Sequence, residues 1–438
     1  MKVINITNKS TRIWAVATCM MALTSASALA ASGTWVGSAD ATWANTANWS
    51  AAPVPGTGDT ATFNAAATYQ TIDLGGGVTV SNLTFDTSSA GAYTIGSGAA
   101  GSQALTLGQA NGGVAMSSTV GNNQTLNANL GLATTGTYRL LNDSAATLTL
   151  AGTNSATSSG IKVIKVDGAG NTAITGPMIS GAGSLNLEKT NSGTLTLSGG
   201  ATWSGNGVNC YLPGSTLVPA DLRQGTTIIT GGTYTNNGEF VIGGVIANGG
   251  AGNNVKLTMN GGSLGVGGYL SLGRGNGIGG VSSDLELNNS ASLLAQNLSA
   301  GFNGNAANLP QGSITLSNSS SFTVLGNGVF YIGESPGANM TMTLNGTSQL
   351  SVAGTGGHRV GGAGNGILNI NDSATASFGQ TSGTGNLAVD VPYRAGTGTI
   401  NLNGGTLTVA GMNIARSGAG TDAAVGAVNV HGGTLVAH

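Results

Sequence analysis

The chain has 438 residues with 77 Gly, 8 Pro, 40% hydrophobic and 6% charged residues, and a formal net charge of −2. So few charges and prolines exclude a disordered polyelectrolyte, the absence of a Gly-X-Y register excludes collagen, and the lack of a basic patch excludes nucleic acid as a partner. Glycine interrupts almost every window of twelve residues, and each interior Gly costs a helix roughly 1 kcal/mol relative to Ala, so the chain reads as all-β.

Residues 1–30 read as a signal peptide. Lys2, Lys9 and Arg12 precede an apolar stretch over 13–23, and Ala28-Leu29-Ala30 supplies a small-x-small cleavage site, with cleavage expected after Ala30. Val16-Ala17-Thr18 ahead of Cys19 makes a poor lipobox, so Cys19 is expected to leave with the signal. Export is therefore predicted, to the medium or the cell surface. Three of the thirteen basic residues depart with the signal while all fifteen acidic ones stay, so the mature part is mildly acidic. It keeps Cys210 alone, which cannot form an internal disulfide and reads as a small buried side chain. No later apolar run approaches the roughly 20 residues of a membrane-spanning helix, so no membrane span is expected in the mature chain.

Residues 31–64 hold Trp35, Trp43 and Trp49, three of the five tryptophans. Two uses fit such a cluster: a cap over the open end of a repeat array, or rings presented to an extracellular glycan. Residues 65–250 carry alternating runs at 78–85, 104–107, 147–150, 184–187 and 194–197, which predict irregular coils with longer excursions.

Residues 251–438 are more regular. The pattern apolar-x-apolar-Asn recurs from Leu257, Leu285, Ile314, Met342, Leu368, Ile400 and Val428, at intervals of 28, 29, 28, 26, 32 and 28 residues. Seven or eight residues after each start comes a second short strand (Leu264, Phe322, Leu350, Leu407, Leu435). A third follows in most units, at 270–272, 331–332, 387–389 and 412–414. Three strands in about 28 residues predict a right-handed parallel β-helix, a solenoid with about three short strands per coil and about 12 to 14 coils in all. The fourth pattern position is Asn260, Asn288, Ser317, Asn345, Asn371, Asn403 and His431. These are expected to stack as a structural corner ladder, side chain bonding side chain along the axis, which satisfies the amides without a ligand. Where Gly-Gly follows, at 261–262, 404–405 and 432–433, positive φ and the shorter seven-residue offset are expected.

The stretches "GTWVGSADATWANTANWSAAPVPGTGDTATFN" from Gly33, "VSNLTFDTSSAGAYTIGSG" from Val80 and "LNLEKTNSGTLTLSGGATWSGNG" from Leu185 resemble secreted bacterial proteins with autotransporter-associated β-strand repeats. The resemblance spans most of 33–240, and the "NGGTL" units after 250 are similar to arrays in the same exoproteins. It implies a secreted or surface passenger, structural or adhesive, with glycans or other surface proteins as partners. Such proteins commonly continue into a translocator barrel or a sorting anchor, whereas these residues run to His438 inside a repeat, as expected of an array cut off within a unit.

Catalysis is not expected. A polysaccharide hydrolase on this scaffold needs converging carboxylates, whereas nearly every acidic residue stands alone in its coil, and Asp284 and Glu286 flank Leu285 on one outward strand face. Calcium-binding nonapeptides are missing. Arg274, Arg394 and Arg416 follow third strands at comparable places, with Glu334 at a similar one, and read as solubilising turn charges that could also meet acidic glycans. His358, beside Arg359, has no partner detectable in sequence, His431 replaces a ladder Asn, and His438 is terminal, so neither a triad nor a zinc site is expected. Glycine-rich 273–280 lacks the lysine and the strand-to-helix context of a phosphate loop, so no cofactor is expected.

Overall fold

The computed structural model describes residues 32–205, 218–243, 254–274, 282–302, 310–325, 328–353, 356–379, 388–393, 395–416 and 423–438, except the side chains of 388, 389, 392, 393 and 416. The segment 1–30 read as a signal peptide, Cys210, Arg394, the Arg416 side chain and most of 273–280 lie outside the described residues. The chain forms a parallel β-solenoid of about 12 turns. Among the described residues helical structure is limited to one 3-10 turn, Thr46–Asn48. No helix there is long and apolar enough to cross a membrane, which leaves β-barrels unaddressed.

Each regular coil passes through three sheets, named here in the order the chain meets them. The first sheet takes the apolar-x-apolar-Asn strands, and its register pairs Leu257 with Leu285, then Ile314, Met342, Leu368, Ile400 and Val428. The sequence repeat is thus the structural register. In the second sheet Leu264 aligns with Leu293, Phe322, Leu350, Ala376, Leu407 and Leu435. The third sheet runs from Gly33–Thr34 and Thr60–Phe63 through Ser184–Lys189 to Gly411–Arg416. Alternation turns one set of side chains inward, so Leu257, Leu285, Met342, Leu368 and Ile400 are fully buried in one continuous core. Each such burial contributes about 1.5 to 3 kcal/mol relative to exposure.

The N-terminal half departs from expectation. First-sheet partners Leu126, Leu150, Ile174 and Leu197 lie 24, 24 and 23 residues apart, so these coils are shorter than the regular ones. Their first-sheet strands have only three or four residues, Gln124–Leu126, Leu148–Leu150, Thr172–Ile174 and Thr194–Leu197, where those of the C-terminal half have five or more, as in Ser282–Leu287. The run 78–85 is two strands: Val78–Val80 belongs to the second sheet and Asn82–Phe85 to the third, with the bend at Ser81.

The corner between first and second sheets takes two forms. Eight-residue units close a turn with backbone bonds such as Ala291 N–H to Asn288 O (3.1 Å) and Ala374 N–H to Asn371 O (3.0 Å). Asn289, Asn318, Gly346 and Asp372 take the left-handed conformation there. In the seven-residue units only the second glycine of each pair, Gly262, Gly405 or Gly433, has positive φ.

Candidate functional site

The three faces are not equivalent. First and second sheets are joined by corners of three or four residues throughout the regular half, as from Met259 to Ser263 or Leu344 to Gln349. Both borders of the third sheet vary: Trp203 to Ala220 and Phe378 to Ala388 on entry, Ile242 to Val255 and Val360 to Asn365 on exit. Solenoids carry variable excursions on the face they use for binding, which directs attention to the outer surface of the third sheet.

Its central outward column brings together residues far apart in sequence. Register places Arg139, Lys165, Glu188 and Asp221 on consecutive strands. Lys165 Nζ lies 3.3 Å from Glu188, Arg223 Nη1 lies 3.2 Å from Glu188, and Arg223 Nε donates to Asp221 Oδ2 at 2.7 Å. Beside them Arg139 pairs with Asp167 at 2.6 Å. Burial raises the Asp221 carboxyl, opposed by Arg223. Farther along, Glu239 takes the Ser271 hydroxyl (2.5 Å) and Arg274, while Ser299, the register partner of Ser271, donates to Glu334 at 2.5 Å. Burial raises Glu334, opposed by the Ser299 hydroxyl and by Arg359 and Arg274. The Arg359 guanidinium lies 4.5 Å from the centre of the Tyr331 ring. The sequence placed nearly every acidic residue alone in its coil; stacking then supplies partners from neighbouring coils, Lys165 and Arg223 to Glu188 and Arg139 to Asp167, while Arg223 also meets Asp221 within its own coil. Arg274 and Glu334 are network members, not freely solvated turn charges.

At the N-terminal end of the same face lies an open slot of about 350 Å³ lined by Asn82, Thr84, Gly113, Ala115, Arg139 and Leu141 among others. Gly113 and Ala115 are the outward residues of Gly113–Met116, so that strand leaves a gap between its better-filled neighbours.

Trp35, Trp43 and Trp49 form the closed end. They are 1%, 2% and 6% exposed, and Trp49 meets Trp35 and Trp43 edge-on at 5.1 and 4.6 Å. All three pack on Phe63, which continues to Phe85 and Tyr93. Their indole N–H groups donate to Tyr69, Pro55 and Trp43 carbonyls. With no exposed ring face these tryptophans cannot stack on a sugar. The glycan-platform reading of the cluster is corrected; the geometry is that of a cap.

The corner positions form two ladders. Asn288 Nδ2 donates to Asn260 Oδ1 (3.1 Å), Asn371 to Asn345 (2.8 Å) and Asn403 to Asn371 (2.9 Å), and His431 Nδ1 lies 3.2 Å from Asn403. Ser317 interrupts them: its side chain bonds neither Asn288 nor Asn345, because a hydroxymethyl is too short for the amide's reach. The ladders are solvent-facing, with Asn260 and Asn403 exposed. A third ladder, which sequence reading missed, links Thr343, Asn369, Asn401 and Asn429 on the outer face of the first sheet.

Of the other residues singled out, Glu286 pairs with Lys256 at 2.6 Å and Asp284 accepts from Ser313, so both are occupied on the outer face. His358 is buried near Phe378, and His438 bonds Val409 through its backbone. Among the described residues no group of three His, Cys, Asp or Glu is placed to hold a metal ion. Compared with protein-family models, curated proteins and solved structures, the chain matches none of them.

Proposed function

We propose that the chain is a secreted or cell-surface solenoid of the autotransporter-associated repeat type, a structural and adhesive passenger without catalysis of its own. Its partners are extracellular glycans or other surface proteins, met on the outer face of the third sheet. The observation that carries this reading is the asymmetry of the coil in the regular half: a corner of three or four residues on one side, and variable connections on both borders of the sheet that gathers the charges. A spacer alone would have no use for such asymmetry.

Fractionation of the native host tests the location. The protein is expected outside the cytoplasm, beginning near Ala31; a full-length chain with its signal, recovered from the cytosol, overturns it. Adhesion is tested with coated beads on host or neighbouring cells. Arg139→Glu with Lys165→Glu should reduce capture, and Thr343→Ser on the first sheet should not; equal capture by all three overturns the choice of face.

A second reading, a polysaccharide-active enzyme, is favoured by the register pairing of Glu188 with Asp221. Two carboxylates on adjacent strands lie in the range that acid–nucleophile pairs use. Arg223 and Lys165 already hold them, which argues for a structural network. Release of oligosaccharides from pectin or alginate by purified protein, abolished by Asp221→Asn, would establish the enzyme reading instead.

A further inference from the structure

The slot on the third sheet is built by a local deficit of side chains. In Gly113–Met116 the inward residues Val114 and Met116 fill the core, leaving Gly113 and Ala115 to face out. A Cβ on Gly113 would lie 2.2 Å from the Arg139 carbonyl oxygen, so no larger residue fits that backbone approach. Neighbouring strands carry Asn82 and Thr84 on one side and Arg139 and Leu141 on the other, with Thr84, Ala115 and Leu141 in one register column. Two strand spacings separate these walls, roughly 9 to 10 Å, so the slot runs across the solenoid along the strand direction.

Its chemistry is mixed in a specific way. The Asn82 amide is held by Gly113 N–H (3.1 Å) and by Thr60 (3.4 Å), which fixes one polar wall. Among the described residues the Thr84 hydroxyl and Arg139 Nη1 make no hydrogen bond to protein, while Arg139 Nε and Nη2 are taken by Asp167. Half-exposed Ala115 and Leu141 add an aliphatic strip beside these polar groups. Hydroxyl, amide and guanidinium groups next to an apolar strip complement a pyranose, which offers hydroxyls at its rim and C–H groups on its face. The volume of about 350 Å³ falls within the range of small-ligand sites. Charge narrows the class further. The one cation lining the slot is neutralised by Asp167, and Asp86 and Asp143 stand just past the ends of Asn82–Phe85 and Gly136–Asn142, which disfavours uronate polymers.

We propose that this slot binds a hexose unit of a neutral glycan laid across the third sheet. The proposal rests on the reading of the chain as an extracellular adhesive solenoid and names its ligand class. The test titrates the purified chain against immobilised and soluble glucan, mannan and galactan oligosaccharides, with oligogalacturonate as the anionic probe. At least one neutral series should bind. Ala115→Phe, which fills the slot from an outward position, should weaken that binding at least tenfold with an unchanged thermal midpoint. Thr149→Val, outward on the first sheet, should leave it unchanged. Should Ala115→Phe fail to fold, Thr84→Val, which removes the free hydroxyl while keeping its shape, should weaken binding severalfold. No binding of any neutral series, undiminished binding by the slot variants, or tighter binding of oligogalacturonate would each overturn the proposal. Neutral-glycan binding by a protein found in the cytosol would leave the slot standing and remove the extracellular reading.

Discussion

The corner between first and second sheets and the borders of the third sheet solve the same problem by different means. Both must turn the chain and satisfy its backbone polar groups. In the regular half the corner does so mostly with neutral parts: a left-handed Asn or Gly, with Asp372 in one unit, a closing backbone bond and an amide ladder. The borders use charge. Lys189 Nζ is caged by carbonyls of Thr190 (2.7 Å), Asn191 (2.8 Å) and Gln224 (3.3 Å), and Lys162 Nζ by carbonyls of Ser158 and Ser159 on the other border. A repeated neutral turn is interchangeable from coil to coil, whereas an ammonium cage accepts loops of any length that can point carbonyls inward. In the regular half the corner therefore keeps to three or four residues while the borders diversify.

The largest expected effect tests the charged border. Burial lowers Lys189 from the usual lysine range to about 8, with Asp167 opposing. The folded state then binds fewer protons than the unfolded state between about pH 8 and the ordinary lysine value near 10.5, so this residue's contribution to stability rises with pH through that window. Denaturation of wild type and Lys189→Met from pH 7 to 11 should show wild type gaining about 3 kcal/mol relative to the variant. A constant difference would mean that burial does not lower the lysine.

Next comes the steric demand of the corner. Gly405 has φ +65°, and a Cβ there would lie 2.1 Å from the Ala374 carbonyl oxygen. Gly405→Ala should cost about 2 kcal/mol. On a third-sheet border Gly357 has 3.4 Å of clearance to its nearest neighbour, the Tyr331 hydroxyl, and Gly357→Ala should stay within about 0.5 kcal/mol. Equal costs in urea titrations would mean that positive φ and backbone clearance do not set the cost at these two positions.

The ladder itself should matter less. Asn371→Leu removes the donor to Asn345 and the acceptor for Asn403, but solvent reaches these groups, so about 1 kcal/mol is expected. Amide exchange should quicken in the coils from 342 to 402 and stay unchanged in the N-terminal coils, because coils couple mainly to their neighbours. Uniform acceleration along the chain would contradict that locality. Smallest of all, Thr343→Ser keeps the hydroxyl that accepts from Asn369 and should shift stability by less than about 0.5 kcal/mol.

The regular half was legible because its inward residues repeat at near-constant spacing; the series Leu257 to Val428, aligned by pattern, is also the series of register partners. The N-terminal half was legible only as strands. Its coils shorten to 23 or 24 residues and change length without a compositional marker, so no fixed offset identifies the partner of a given residue. Trp35, Trp43 and Trp49 stood out as a cluster, but their chemistry depended on whether the rings faced solvent, and packing against Phe63 turned them inward.

Sequence by itself determined the strand class, the coil repeat, the inward and outward faces of each regular strand and the turn positions that need Asn or Gly. These are properties of period 2 and of local backbone sterics, which act within a few residues. Tertiary structure alone decided which outward residues meet. Lys165, Glu188, Asp221 and Arg223 span 58 positions along the chain, yet parallel stacking sets neighbouring strands about 4.8 Å apart and joins them into one network. The slot at Gly113 and Ala115 has the same origin: two small residues are unremarkable in sequence and become a site only when the strands above and below carry larger side chains.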